Sequence, residues 1–321
     1  MFIAIDGGTT NTRLALYDGS KILRTVKKFV GARDTAISGS NESLESAVKE
    51  GINELLNTYG ISSEKIEVIL ASGMICSDMG LYSIEHIKVP ADAKKIAENS
   101  VLVSLKNITE IPFVFIPGVK NDCDYTDPSS ISKMDVMRGE ETEIIGIMKL
   151  LDAKGPVIGV LPGSHTKIVE INKNNEIASC YTSLAGEMIR AISENTILKN
   201  SLGNDFVLKV DKEYLYKGFD YCEEHGLNTA LFKIRMMSNY LNLSHMEMYS
   251  FLFGAVLKDD IKLIMNCYLG TKVLIGGSNP FREAFAILLK RFIDSANIVE
   301  LSDEVVKLCT TVGAAAVYNE R

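Results

Sequence analysis

The sequence predicts a two-domain α/β protein in which one β-meander is laid down twice, with helices after each copy and a cleft between the domains. Three observations predict it. The chain has 321 residues, more than a single hydrophobic core usually serves. The stretch Phe2–Leu16 runs from an apolar strand into Asp6, Gly7, Gly8, Thr9, Thr10 and Asn11, and then into a second apolar strand. The stretch Val157–Ile171 repeats that plan, with Pro162, Gly163, Ser164, His165 and Thr166 as its turn.

Composition narrows the function. Hydrophobic residues make up 46% of the chain and charged residues 23%, the balance of a compact protein and not of a disordered one. A net charge of −7 with no run of Lys or Arg argues against nucleic acid as a partner, because phosphate backbones need clustered cations. Cys76, Cys123, Cys180, Cys222, Cys267 and Cys309 stand singly, which predicts reduced thiols in a cytoplasmic protein and no zinc site. The N-terminus lacks a basic leader and soon meets Asp6, so it reads as a first strand and not as a signal peptide. No apolar run approaches a membrane span, and no membrane partner is expected.

The elements follow in order. Asp18-Gly19-Ser20 marks a second turn, and Lys21–Phe29 completes a three-stranded meander. Ser40 or Asn41 offers an N-cap ahead of Leu44, Ala47, Val48, Ile52, Leu55 and Leu56, which recur at helical spacing up to Gly60. Ile66–Leu70 is a strand whose exit, Ala71, Ser72, Gly73 and Met74, is of the kind where α/β proteins collect ligands. Phe113–Ile116 runs likewise into Pro117 and Gly118, and the polar stretch Asn121–Lys133 is long enough to overhang a cleft. A helix opens at Met137–Thr142 and carries Ile144, Ile145, Ile147 and Met148 before Gly155-Pro156 closes it.

The second half begins with the repeated meander, ending on Glu176–Leu184. Helices are expected over Leu227–Asn239 and His245–Leu269, the latter stopped by Gly270. Lys272–Ile275 is a strand, Gly276, Gly277 and Ser278 form a third glycine turn, and Phe281–Ile293 is a helix. Glu304–Tyr318 closes the chain as a helix whose small face at Gly313–Ala316 suits close packing.

The first glycine turn suits a phosphate. Gly7 and Gly8 let backbone N–H groups approach an anion, Thr9 and Thr10 add hydroxyls, and Asp6 at the strand end could hold Mg2+ through water. The third turn offers flat backbone on which a base and ribose could lie. A plain Gly-Gly hairpin and an ordinary βα turn remain open as alternatives. Neither a Walker A motif nor a G-x-G-x-x-G follows any strand, which argues against P-loop and dinucleotide folds.

With these residues in place, the chain resembles the ribonuclease-H-like superfold of sugar kinases, actin and heat-shock chaperones. Within it, the chain is similar to the 2-dehydro-3-deoxygalactonokinase family. The superfold resemblance rests on Asp6–Asn11, Leu161–Lys167, Gly276–Ser278 and Val312–Ala315. The family resemblance rests on Val136–Thr142, Pro162–Lys167, Ala185-Gly186-Glu187 and Ala71–Met74. Pro162 stands where many members of the superfold have an acid, so metal and base roles fall elsewhere.

The resemblance implies ATP- and Mg2+-dependent phosphorylation of the 6-hydroxyl of 2-dehydro-3-deoxy-D-galactonate, a step of galactonate catabolism. Residues 1–155, with 304–321 packing back on them, would form the substrate and phosphate lobe, and 156–303 the nucleotide lobe. Gly7, Gly8, Thr9, Thr10 and Asn11, with Gly163, Ser164, His165 and Thr166, would hold phosphates; Gly276, Gly277 and Ser278 would hold adenosine. Lys167 would add positive charge and Asp6 would take Mg2+. Arg138 is the candidate for the acid's carboxylate, and Ser72, Gly73 and Met74 are candidates for its carbon chain. By analogy with exopolyphosphatases and type III pantothenate kinases, the second acid after Gly139 is the base, which selects Glu141, with Glu140 next to it. An exopolyphosphatase-like phosphohydrolase and a nucleotide-dependent binding protein are the alternatives. A homodimer is left open.

Overall fold

The computed structural model describes residues 1–203 and 209–321. Residues cluster into two units, one of Met1–Gly155, Asn172–Cys180 and Glu304–Arg321, the other of Pro156–Ile171 and Tyr181–Asp303.

In the first unit the strands are β1 (Phe2–Gly7), β2 (Thr12–Tyr17), β3 (Ile22–Lys28), β4 (Val68–Gly73), β5 (Ile87–Lys88), β6 (Val101–Val103), β7 (Phe113–Phe115), β8 (Val119–Lys120) and β9 (Val136–Met137). Its six-stranded sheet has the order β3-β2-β1-β4-β7-β6, and β5-β8-β9 form a small separate sheet. Its helices are α1 (Ala32–Ser38), α2 (Glu42–Tyr59), α3 (Ala93–Glu98) and α4 (Glu140–Leu150). The sheet is antiparallel along β3-β2-β1 and parallel from β1 to β4 to β7. Ile3, Ile5, Leu14, Leu16, Phe113 and Phe115 fill its core with Leu44, Val48, Ile52 and Leu55, the apolar stripe of α2.

The second sheet has the order β12-β11-β10-β13-β14, from β10 (Val157–Leu161), β11 (Thr166–Ile171), β12 (Ile177–Ser183), β13 (Lys272–Ile275) and β14 (Ile298–Glu300). It repeats the first: β10-β11 are antiparallel, and β10, β13 and β14 run parallel. Here the helices are α5 (Ala185–Asn195), α6 (Lys199–Leu202), α7 (Lys212–His225), α8 (Leu227–Tyr240), α9 (His245–Cys267) and α10 (Phe281–Leu289). Helix α9 starts on a capping box, with Ser244 and Glu247 each satisfying the other's backbone N–H, and buries Leu252, Phe253, Leu257 and Ile261 against the sheet.

The last helix, α11 (Asp303–Tyr318), belongs to the first unit apart from its opening residue. It crosses α4 where two glycines face the partner backbone. A Cβ on Gly146 would collide with the Cys309 carbonyl, and one on Gly313 with the Thr142 carbonyl. The small face read from Gly313–Ala316 therefore packs on α4.

Several boundaries differ from the sequence expectation. Helix α9 stops at Cys267, so Gly270 lies beyond its cap, and α10 stops at Leu289, not Ile293. Helices α1, α3, α5, α6 and α7 were not expected. The stretch Asn121–Lys133 is no free overhang. Buried Asn121 donates to the Lys133 and Cys180 carbonyls and accepts from the Cys180 N–H, and Pro128–Lys133 coil into a 3-10 turn.

Candidate active site

The two repeated turns are built alike. In the first, Gly8 N–H closes the turn on the Asn11 carbonyl at 2.8 Å. The Gly8 and Thr9 carbonyls are drawn outward by the N–H groups of Ala32 and Arg33 at the start of α1. Gly31 permits this, since a Cβ there would sit 2.6 Å from both carbonyl oxygens. In the second turn, Glu187 N–H at the start of α5 holds the Ser164 carbonyl at 3.0 Å, and a Cβ on Gly186 would collide with the Gly163 carbonyl. With carbonyls tied back, the opposite backbone edge is left to donors. Among the described residues, the N–H groups of Thr9, Thr10, Gly163 and Ser164 donate to no protein oxygen. Sequence reading singled out Gly186 in a motif and missed Gly31, an isolated glycine just after a strand.

Within these turns the side chains divide. Thr9, Thr10, Gly163, Ser164 and His165 are exposed, and Asn11 donates to the Thr10 hydroxyl at 2.9 Å. His165 pairs with Glu187 at 3.5 Å. Thr166, the first residue of β11, is fully buried. Lys167 is also buried, its ammonium 2.6 Å from the Thr182 hydroxyl, so it backs the turn and does not line it.

The third turn meets the second in the same unit. Gly277, at φ +69°, brings its Cα so near Pro162 that a Cβ would lie 2.6 Å from the Pro162 carbonyl oxygen. Gly276 gives its N–H to the Val160 carbonyl and so belongs to the sheet, leaving Gly277 and exposed Ser278 as the accessible part. Buried Arg282 braces the turn through the Gly277 carbonyl at 3.2 Å and is itself held by Asp303 at 2.6 Å.

In the first unit, β1 and β4 end side by side, Gly7 in register with Gly73, and α4 begins against them at Gly139. The α4 start separates its acids. Glu141 is fully buried. One of its oxygens accepts the Gly139 N–H at 2.7 Å, and the other has no partner. Burial, and then the Glu140 carboxylate, push it up to about 8. Glu140 stays half-exposed and accepts the Arg138 N–H at 3.0 Å. Of the two acids on this turn, Glu140 is the one partly open to solvent and Glu141 the one enclosed.

Two further candidates make their bonds within the fold. Arg138 gives its guanidinium to the Cys76 and Ile84 carbonyls at 2.7 and 2.8 Å and to His86 Nδ1 at 3.2 Å, a brace and not an open carboxylate fork. Ser72 is 1% exposed and its hydroxyl bonds within the fold; Gly73 is buried as well. Met74 is half-buried in the short turn after β4.

Asp6 lies 3.6 Å from Arg13, its register partner across β1 and β2. Both line a narrow crevice with Thr25, Lys307, Thr310 and Thr311. Burial raises the Asp6 carboxyl, opposed by Arg13. Glu143, which sequence reading passed over as one more acid in a helix start, is close enough to be pushed to about 8 by burial and by Glu140 and Asp6. Among the described residues no group of three or more His, Cys, Asp or Glu is arranged to hold a metal alone. Two neighbouring carboxylates do fit Mg2+, which takes one or two carboxylates and completes its shell with phosphate and water.

Comparison with known proteins agrees with this architecture. The family model for 2-keto-3-deoxy-galactonokinases matches residues 6–310. The chain is 27% identical over 265 residues to the 2-dehydro-3-deoxygalactonokinase of Escherichia coli K12, covering 81% of this chain and 79% of that one. A solved Sinorhizobium meliloti structure classed with the 2-dehydro-3-deoxygalactonokinases superposes at a TM-score of 0.77 with 20% identity, covering 99% of each chain. The Clostridium difficile activator of 2-hydroxyisocaproyl-CoA dehydratase, solved with bound ADPNP, superposes at 0.51 with 12% identity over 99% of this chain and 94% of that one. The fold is thus that of actin, Hsp70 and the sugar kinases, with two mixed-sheet domains, as the sequence predicts. No helix among the described residues is long and apolar enough to cross a membrane. The chain therefore belongs to the 2-keto-3-deoxy-galactonokinase family, and its general activity is ATP-dependent sugar phosphorylation.

Proposed function

We propose that the protein transfers the γ-phosphoryl group of ATP to the primary hydroxyl of a 2-keto-3-deoxy sugar acid, 2-dehydro-3-deoxy-D-galactonate by family membership, giving the 6-phosphate and ADP. The observation that carries this reading is the matched pair of turns, each with its carbonyls tied back and its N–H groups open. Phosphoryl transfer is mostly positioning and charge stabilisation, and such turns supply fixed donors for phosphate oxygens.

In this reading the first unit holds the acid and phosphates and the second holds the nucleotide. Thr9 and Thr10 offer donors to phosphate in the first unit; in the second, Gly163 and Ser164 do the same, and Gly277 and Ser278 carry adenosine. Asp6, with Glu143 beside it, would hold Mg2+, which supplies charge neutralisation on the phosphates when bound. Glu140 accepts the proton of the attacking hydroxyl as its oxygen bonds to the γ-phosphorus and the bond to ADP breaks. Glu141, neutral at pH 7, caps the helix beneath it, and Arg138 fixes the segment from which both acids project.

A coupled ADP assay over a panel of aldonic, 3-deoxyaldonic and 2-keto-3-deoxy acids tests the reading. Turnover should require a 2-keto-3-deoxy acid, and 31P NMR should place the phosphate on its primary carbon. ATP hydrolysis that runs as fast without any acid would show a phosphohydrolase instead.

A further inference from the structure

The end of β12 grips the second glycine turn from two sides. Successive side chains of a strand point to opposite faces, so Thr182 and Ser183 look in opposite directions. The Thr182 hydroxyl accepts from the ammonium of buried Lys167 at 2.6 Å, and Lys167 lies in β11 just past the turn. Ser183 faces α9. Its hydroxyl donates to Asp260 Oδ2 at 2.8 Å, and its oxygen lies 3.4 Å from the Ala185 N–H that opens α5. The same first turn of α5 carries the Glu187 N–H that holds the Ser164 carbonyl, and Gly186, which presses on Gly163. An unbroken path therefore runs from Asp260 through Ser183 and the start of α5 to the backbone of Gly163 and Ser164, all of it within the second unit.

Asp260 is a costly prop if all it does is support a helix. It is 5% exposed, and among the described residues it makes no salt bridge. Burial pushes its carboxyl up to about 6, against the pull of the Ser183 bond. At pH 7 it is still a carboxylate and can only accept, so it claims the single hydroxyl proton of Ser183 and leaves that oxygen's lone pairs to the Ala185 N–H. A serine at a helix start needs no such partner, and a buried charge without a cation is destabilising. What the carboxylate adds is direction, since it holds Ser183 in one orientation toward α5. Its own support is stiff. Helices α7 and α9 meet backbone to backbone, where a Cβ on Gly254 would lie 2.0 Å from the Leu215 carbonyl oxygen and one on Gly218 2.0 Å from that of Phe251.

We propose that Asp260 is a positioning residue of the phosphate site: through Ser183 it sets the start of α5, and through α5 the Gly163–Ser164 edge that meets the nucleotide's phosphates. This inference rests on the kinase reading and deepens it, because a donor edge stabilises charge only when it is held in place before the phosphate arrives.

Asp260→Leu and Ser183→Ala should each raise the KM for ATP by roughly fivefold or more, with the KM for the sugar acid within about twofold of wild type. The double variant should be no worse than the singles, since both changes cut one path. Asp260→Asn keeps an acceptor for the Ser183 hydroxyl and should bring the KM for ATP back to within about twofold. Ser183→Ala removes one half-buried hydroxyl and tests the path even where Asp260→Leu does not fold. A second readout needs no turnover. In Ser183→Ala the affinity for ADP, measured by calorimetry, should fall by the same factor as the KM rises, while the affinity for adenosine, which has no phosphate to place on the turn, stays the same. An unchanged KM for ATP in Asp260→Leu and Ser183→Ala, additive losses in the double variant, or equal losses of ADP and adenosine affinity would each overturn the assignment. A wild-type enzyme that binds ADP yet phosphorylates no acid of the panel would count against the kinase reading and leave the path from Asp260 to the turn standing.

Discussion

The carboxyl group of Glu141 folds back onto the backbone N–H of Gly139 at 2.7 Å, which turns it away from solvent and leaves Glu140 as the outward acid of the same helical turn. Exchanging each for its amide separates the roles. Glu140→Gln should lower kcat by about 10²–10⁴ with a near-normal melting temperature, the loss typical of a removed general base. Glu141→Gln keeps the shape of a group already neutral at pH 7, and its kcat should fall less than about tenfold. A crippled Glu141→Gln beside a healthy Glu140→Gln would return the base to Glu141.

Glu141 and Glu143 are both pushed to about 8, far above an ordinary glutamate. Raised folded-state values mean that the native protein holds protons the unfolded chain releases. Their contribution to stability is full below about pH 4.5 and is lost as pH rises toward 8. Melting temperature should therefore fall between about pH 4.5 and 8, and the fall should be shallower in Glu141→Gln. Parallel curves for the two proteins would show that Glu141 does not titrate in this window.

Arg138 spans the Cys76 and Ile84 carbonyls with the two arms of its fork. A lysine has one ammonium and cannot span both with the same geometry. Arg138→Lys should cost roughly 1–3 kcal/mol of stability, read by urea unfolding, as buried carbonyls lose their donor. Its kcat should drop more than its KM for the acid rises. A selective rise in that KM would restore Arg138 as the carboxylate partner.

Gly31 and Gly186 play the same part in the two repeats, and their substitution should have like effects. Gly31→Ala pushes a Cβ against the Gly8 and Thr9 carbonyls and should raise the KM for ATP. Gly186→Ala meets the Gly163 carbonyl more closely and should raise it further, with a lower melting temperature. Unchanged ATP kinetics in both would mean that the turns do not hold phosphate.

Asp6→Asn should raise the Mg2+ concentration needed for half-maximal rate several-fold and weaken Mn2+ binding measured by EPR in the presence of ADP. Identical metal titrations would remove Asp6 from the cation site.

The repeated meander was legible because its turns are short and its strands long: Gly7–Asn11 and Pro162–Thr166 sit between apolar runs that fix register locally. The third turn was legible for the same reason. The division of labour between Glu140 and Glu141 was not, since both satisfy a helix start and only the packing of Cys76 and Arg138 beneath it decides which is buried. Nor was the pairing of β5 with β8. These strands are two residues long, too short for any alternation to show, and their pairing is set by contacts 32 residues apart in sequence. Helices α5 and α7 were not legible because each buries only four residues, Ala185, Ile189, Ile192 and Ser193 in one and Leu215, Gly218, Phe219 and Cys222 in the other.

The crossing of α4 by α11 at Gly146 and Gly313 has a bearing on how the protein is made. The first unit needs the last helix, yet more than a hundred residues of the second unit are synthesised between them. Domains ordinarily fold in the order they leave the ribosome. Here the second unit is an uninterrupted guest apart from its first strands, free to fold while its host waits for α11. Lys307, Thr310 and Thr311 close the crevice around Asp6, so that wall is finished only once α11 has been made. A nascent chain stalled before residue 303 would carry both glycine turns and still lack the wall that holds Asp6 in place.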